Sequence, residues 1–187
     1  MRLLLMGPPG AGKGTQAEAL SSRLGTPHVS TGDIFRANVA AGSELGLKAK
    51  RYMDAGEYVP DDLTNDLVRD RLSQQDLAGG FLLDGYPRTT AQVAELDDML
   101  ASHGHALDRV VELTVDADQV VARLLARAAA QGRSDDTEDV IRRRLDVYSH
   151  QTAPLTSLYA AKGLLVKVDG LGEIDEVTER VLKALEV

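Results

Sequence analysis

The stretch Gly7-Pro8-Pro9-Gly10-Ala11-Gly12-Lys13-Gly14-Thr15 decides the fold through what stands on either side of it. Before it, Arg2 to Met6 is a short apolar run that a Gly/Pro cluster ends, the pattern of a buried parallel strand. After it, Ala17, Leu20 and Leu24 recur at helical spacing. A glycine-rich loop between a strand and a helix lets consecutive backbone N–H groups converge on phosphate oxygens. The helix N-terminus adds partial positive charge, and Lys13 can reach the outer phosphates. The spacing is Gly-x4-Gly-Lys, with Gly14 where Ser or Thr ordinarily ligates magnesium, so Thr15 becomes the nearer candidate for that role. A turn that merely needs glycine is the blander reading, but a lysine inside such a loop has no packing purpose.

Working outward, the spacing predicts a second short strand at His28 to Ser30 and helices over Ile34 to Ala41, Leu45 to Ala55 and Asp61 to Gln74. Phe81 to Leu83 is the third strand, followed by a helix that places Val93, Leu96 and Leu100 on one face. Val110 to Val115 is a fourth strand, Ala117 to Ala130 a helix, and Glu138 to Lys162 a long helix bent at Pro154. Leu164 to Val168 is a fifth strand, and Ile174, Val177, Val181 and Leu185 mark a closing helix. Strands alternating with helices imply an α/β fold, a five-stranded doubly wound parallel sheet with helices on both faces and ligands at the strands' carboxyl ends. Two segments exceed an ordinary connection: Ser30 to Val59, helical but outside the alternation, and the turn over Ala128 to Asp136. Both are candidate flaps.

The chain has 187 residues, which at about 150 residues per domain predicts one domain over 1–187. With 43% hydrophobic and 27% charged residues it can bury a core. A net charge of −8 disfavours non-specific binding to nucleic acid or to an anionic membrane, so an anionic ligand must be held by a local cluster of cations. No cysteine is present, which excludes disulfides and thiolate metal sites. Leu3 to Met6 is too short for a signal-peptide core or a membrane span, so a cytoplasmic protein is expected. His28, His103, His105 and His150 form no ligand grouping, and no zinc site is expected; the five scattered tyrosines read as packing residues.

Other residues carry chemistry beside the loop. Ser30-Thr31-Gly32-Asp33 reads as a helix cap through Thr31 or Asp33, and Arg36, one turn into that helix, adds a guanidinium where the dipole already attracts phosphate. Asp84 emerges at the end of the third strand, where it can hold a magnesium-bound water or start a helix. Gly85 permits close backbone approach, Pro87 stiffens the turn that presents Arg88, and Gln92, four residues on, shares its helix face. A side-chain amide offers the donor and acceptor that a base edge requires. Arg123, Arg127, Arg133 and Arg144 flank the second long turn and read alone as solvated charges or partners of Asp135, Asp136 and Asp139. Arg142 and Arg143 differ in direction from Arg144 by about 100° per residue.

Four segments together resemble an adenylate kinase with a short lid: Gly7 to Thr15; Ser30 to Asp33 with Arg36; Asp84-Gly85-Tyr86-Pro87-Arg88-Thr89 with Gln92; and Gly132-Arg133-Ser134-Asp135-Asp136 with Arg144. The resemblance extends to Gly172 and so covers nearly the whole chain. It implies a nucleotide-binding flap over 30–59 for the acceptor and a short lid over 126–136. It implies that Gly10, Ala11, Gly12, Lys13, Gly14, Thr15, Arg127 and Gly172 bind ATP. AMP would be bound by Thr31, Arg36, Glu57, Tyr58, Val59, Gly85, Tyr86, Pro87, Arg88, Gln92, Arg133 and Arg144. Lys13, Arg88, Arg123, Arg133 and Arg144 would carry the transfer, with Mg2+ held through phosphates and water near Thr15 and Asp84. A plain strand-to-helix turn is the alternative at Gly172. ATP, AMP and ADP are the implied partners, and a monomer is the family's usual form. A kinase acting on UMP and CMP is the nearest rival, and Thr31 and Gln92 favour adenine. A P-loop switch is the rival from another class; no Asp-x-x-Gly follows the third strand, and no Asn-Lys-x-Asp occurs.

Overall fold

The computed structural model describes residues 1–116, 120–126 and 137–186. Its sheet has five parallel strands: β1 (Arg2–Met6), β2 (His28–Ser30), β3 (Phe81–Asp84), β4 (Arg109–Thr114) and β5 (Leu165–Asp169), in the order β2-β3-β1-β4-β5. β1 is central, with Leu4 opposite Leu83 on one side and Val110 on the other. All its residues from Leu3 to Met6 are buried, the continuous apolar signature of a strand covered on both faces.

Period-two alternation divides those residues between two cores. Leu3 and Leu5 pack with Leu82, Val111, Leu113 and Val168 beneath α1 (Lys13–Leu24) and α9 (Ile174–Ala184), through Ala17, Leu20, Val177 and Val181. Leu4 and Met6 face the other way, against Leu83, Val110 and side chains of three helices. Those are α4 (Asp61–Leu72) with Val68, α5 (Thr90–Ala101) with Val93 and Leu96, and α8 (Leu155–Ala161) with Leu155 and Tyr159. Each buried leucine or valine stabilises the fold by roughly 1.5–3 kcal/mol relative to exposure, so both helical layers are held by the strands they cover.

Helices α2 (Thr31–Ala41) and α3 (Glu44–Asp54) stand outside this layering. They share a small core of their own, Phe35, Ala49 and Val59, against which Leu45, Tyr52, Met53, Leu63 and Leu67 pack. Ser30, not Thr31 or Asp33, caps α2 by accepting a hydrogen bond from the Asp33 N–H at 3.2 Å, and the helix starts three residues before the expected Ile34. Asp84 closes β3 instead of starting a helix; Thr89 caps α5.

Residues 120–126 are helical (α6), and Val120 and Leu124 pack on Ile141 of α7 (Glu138–Val147). The remainder of the expected helix over Ala117 to Ala130, and the second long turn, lie outside the described residues. The single long helix expected from Glu138 to Lys162 is interrupted. A π turn, Tyr148–Thr152, intervenes between α7 and α8, closed by the Ala153 N–H on the Tyr148 carbonyl at 2.9 Å. Pro154 has no N–H for the next helical bond, and the ladder widens by one residue just before it.

Candidate active site

β1 has neighbours reached by connections of opposite sense, β3 on one side and β4 on the other, so a crevice opens beyond its carboxyl end. The loop from Gly7 to Gly12 enters that crevice. Gly7 must be glycine: its φ is +144°, and a Cβ there would lie 2.7 Å from the Leu113 carbonyl oxygen. Lys13, the first residue of α1, folds its ammonium back over the loop and donates to the carbonyls of Gly7 at 2.9 Å and Pro8 at 3.0 Å. Gly14 and Thr15 are exposed on the first turn, where their N–H groups are among the donors that a helix leaves without intrahelical partners. The Ala11 side chain is buried in the core, so that residue meets a ligand through its backbone.

A pocket opens beside Lys13 between the β1 and β3 ends, the α2–α3 segment and α7. Of the residues expected to bind an acceptor nucleotide, it gathers Thr31, Arg36, Glu57, Tyr58, Val59, Gly85, Tyr86, Pro87, Arg88, Gln92 and Arg144. Lys13, Arg36, Arg88 and Arg144 line it against one carboxylate among the described residues, Glu57. A chain of net charge −8 thus concentrates cations in one concavity, as an anionic ligand requires.

Each side chain is placed by a short-range cause. Gly85 has φ +83°, and a Cβ there would fall 2.6 Å from Thr31 Oγ1, so the β3–α5 turn passes close under the start of α2. The Tyr86–Pro87 bond is cis. Arg88 then donates through Nε to the Gly85 carbonyl at 2.7 Å, with its guanidinium 4.8 Å from the Tyr58 ring centroid. Arg36 pairs with Asp33 at 2.6 Å. Gln92 is buried, accepting from the Arg88 N–H at 2.7 Å through Oε1 and donating to Asp61 Oδ1 at 2.6 Å through Nε2.

Several lining residues gave no sequence signal. Phe35 and Met53 enter from the small core of the α2–α3 segment and Thr64 from α4, while Tyr148 and Thr152 enter from the π turn. Thr152 Oγ1 lies 2.9 Å from the Arg88 carbonyl oxygen and 2.6 Å from Tyr58 Oη, joining the π turn to both sides of the pocket. Tyr148 therefore lines the pocket beside Tyr58 and Tyr86, which the family resemblance already assigned to it, whereas the sequence suggested only a packing role for Tyr148. Burial, helped by the carboxylates of Glu95 and Asp61, raises the Tyr86 hydroxyl well above the ordinary tyrosine range. Burial likewise raises Tyr148, with Glu112 and then Tyr58 adding to it. Both stay neutral hydrogen-bonding groups at physiological pH.

The remaining expected residues lie elsewhere. Arg123 is half-buried on α6, and Gly172 sits at φ +122° between β5 and α9, beside Glu176 and Arg180. Neither lines this pocket, and Arg127 and Arg133 lie outside the described residues. Asp84 Oδ1 is buried and has no hydrogen-bond partner among the described residues. An acceptor-only oxygen at a strand's carboxyl end, beside the phosphate loop, fits a site that hydrated magnesium would complete.

Comparison with known proteins agrees with this arrangement. The family model described as "Adenylate kinase" matches residues 5–164. The chain is 63% identical over 187 residues to an adenylate kinase of Nocardioides sp., covering 100% of this chain and 98% of that one. It is 63% identical over 185 residues to an adenylate kinase of Kocuria rhizophila, covering 99% and 98%. It is 59% identical over 185 residues to an adenylate kinase of Thermobifida fusca, again covering 99% and 98%. With the phosphate loop at the end of β1, a cationic pocket beside it and likeness over the whole length, the chain belongs to the adenylate kinase family of phosphotransferases.

Proposed function

We propose that the chain catalyses reversible transfer of the terminal phosphoryl group of Mg-ATP to AMP, giving two ADP, through the residues gathered around Lys13. The observation that carries this reading is that Thr31 and Arg36 from one side and Arg88 and Gln92 from the other share one pocket with Lys13. ATP would lie with its phosphates over Gly10, Ala11, Gly12, Lys13, Gly14 and Thr15, and with its base toward Arg127 and Gly172. AMP would occupy the pocket, its phosphate between Arg36 and Arg88 and its base toward Gln92 and Val59.

The attacking oxygen of AMP is already anionic, so no general base is required; catalysis is alignment and charge neutralisation. Lys13 exchanges its carbonyl partners at Gly7 and Pro8 for phosphate oxygens. Arg88 is pre-aimed by the Gly85 carbonyl and by Tyr58, and Arg144 faces the same space from α7. Arg123 and Arg133 would complete the clamp. Magnesium, held through water by Asp84 and near Thr15, would neutralise donor phosphate charge.

The segment 30–59 would act as the acceptor flap and 126–136 as the short lid, supported for the former by its separate core around Phe35 and Ala49. Closure of both would exclude water from the transferring group. A cytoplasmic monomer, the family's usual form, completes the reading, and light scattering during size exclusion tests the monomer.

Phosphorus NMR of the purified protein with Mg-ATP and, separately, AMP, UMP, CMP and GMP tests the reaction. ADP formed with AMP as the preferred acceptor is the expected result. Turnover only with a pyrimidine monophosphate would overturn the acceptor assignment, and no transfer to any acceptor would overturn the enzymatic one.

A further inference from the structure

Asp61, the first residue of α4, lies behind the pocket wall and not on it. Its two carboxylate oxygens accept separate hydrogen bonds, Oδ1 from Gln92 Nε2 at 2.6 Å and Oδ2 from the Thr89 hydroxyl at 3.0 Å. Thr89 in turn accepts from the Gln92 backbone N–H at 3.2 Å as the cap of α5. On the opposite edge, the Arg88 backbone N–H donates to Gln92 Oε1 at 2.7 Å.

These roles cannot be exchanged. A carboxylate only accepts and a backbone N–H only donates, so the amide of Gln92 has one orientation and not its 180° flip. One N–H and one carbonyl lone pair are then left for the pocket in fixed left-right order. A 6-aminopurine presents a ring acceptor beside an exocyclic donor; a 6-oxopurine presents the same two positions with donor and acceptor exchanged. For a base whose register is set by its phosphate and ribose, one amide orientation matches the first and opposes the second.

We propose that Asp61 is a positioning residue for acceptor specificity: by locking the Gln92 amide, it makes the pocket select 6-aminopurine over 6-oxopurine monophosphates. The inference rests on the acceptor assignment given above.

AMP and IMP, which differ at this edge, are the probes. Transfer from Mg-ATP to each is measured for the wild type, D61A, D61N, Q92A and D61A/Q92A, with folding checked by thermal melting. Lack of transfer to AMP by the wild type would refute the acceptor assignment itself, whatever Asp61 does. Given wild-type transfer, D61A is expected to lower the AMP-over-IMP ratio of kcat/KM about tenfold, the scale of one discriminating hydrogen bond. The loss should fall on KM for AMP more than on kcat, and KM for ATP should hold. D61N, which loses the charge and keeps an acceptor, should recover most of the ratio, and D61A should cost no further discrimination in the Q92A background. An unchanged ratio in D61A, equal losses in D61A and D61N, or an additive loss in the double variant would each overturn the inference. Should D61A not fold, D61S, whose hydroxyl is too short to reach Gln92, is read in the same way.

Discussion

The guanidinium of Arg143, on α7, lies 2.5 Å from the carboxylate of Glu57, in the turn after α3, although 86 residues separate them. The contact ties the end of the α2–α3 segment to the helix that brings Arg144 into the pocket. It also engages the carboxylate that family resemblance directed toward the adenosine of the acceptor. The pair raises the pKa of Arg143, first through its hydrogen bond to Glu57, and Asp146 braces the same guanidinium at 3.1 Å.

Both partners are partly exposed and solvent screens them, so the pair adds little to stability. R143E converts attraction into repulsion at that joint. We expect its melting temperature to stay within a few degrees of the wild type, while KM for AMP rises roughly two- to fivefold at low salt. The gap should narrow at about 0.5 M salt, where screening shortens the reach of both effects. Equal KM values for the two proteins at low salt would contradict a role for this contact in acceptor binding.

Lys13 donates to two loop carbonyls, partners that donor phosphate would replace in the proposed reaction. K13A should lose roughly 10³-fold or more in kcat/KM, the scale of removing a group that stabilises transition-state charge. Its stability should change by no more than about 1–2 kcal/mol. Urea titration alongside steady-state kinetics separates the two, and a variant that unfolds early without a kinetic defect in its folded fraction would contradict the assignment.

Arg88 combines charge, a fork and a fixed aim. R88A is expected to cost on the order of 10³-fold in turnover. R88K restores charge but not the Nε bond to Gly85 or the planar face against Tyr58, and should recover only a small part of the loss. Single-turnover measurement under saturating nucleotide reads this directly; near wild-type turnover by R88A would contradict the role.

Tyr159 is fully buried in the core beside the sheet, and its hydroxyl has no hydrogen-bond partner among the described residues. Burial, then the Asp97 charge, then Tyr86, raises its pKa above the ordinary value of 10.0. Above pH 10 the unfolded chain releases a proton that the folded state keeps, so stability is whole below that pH and falls as pH rises. The slope is at most about 1.4 kcal/mol per pH unit for each such tyrosine. Y159F removes an unsatisfied polar atom and should stabilise the protein by about 1 kcal/mol at neutral pH. It should also lose stability less steeply above pH 10. Urea midpoints from pH 8 to 11 check both statements.

How much of this was legible beforehand differs between fold and site. The five strands were located within a residue or so: the central β1 and β3, covered on both faces, are almost continuously apolar, while the edge strands, which carry polar residues such as Lys167 and His28, are bounded by turn residues. Glycine, proline and lysine in Gly7 to Thr15 carry their reason in their own geometry. The pocket-lining set from Thr31 to Gln92 came from recognising spaced motifs together, since no one motif shows that α2 and the β3–α5 turn meet. The long helix after Glu138 was less legible, because a one-residue widening leaves the apolar periodicity almost unchanged.

By itself, then, the sequence determined the order of the strands and of most described helices, the phosphate loop and the residue types available to a cationic pocket. These follow from local backbone preference and from periodic burial, which act over a few residues. Tertiary structure alone decided which polar groups meet: Asp61 with Gln92 across 31 positions, Tyr58 with Thr152 across 94, Glu57 with Arg143 across 86. Such pairs are set by how packed layers bring distant turns to the same end of the sheet. A hydrogen bond needs placement to within a few tenths of an ångström, which sequence spacing does not specify once the chain has passed through another strand.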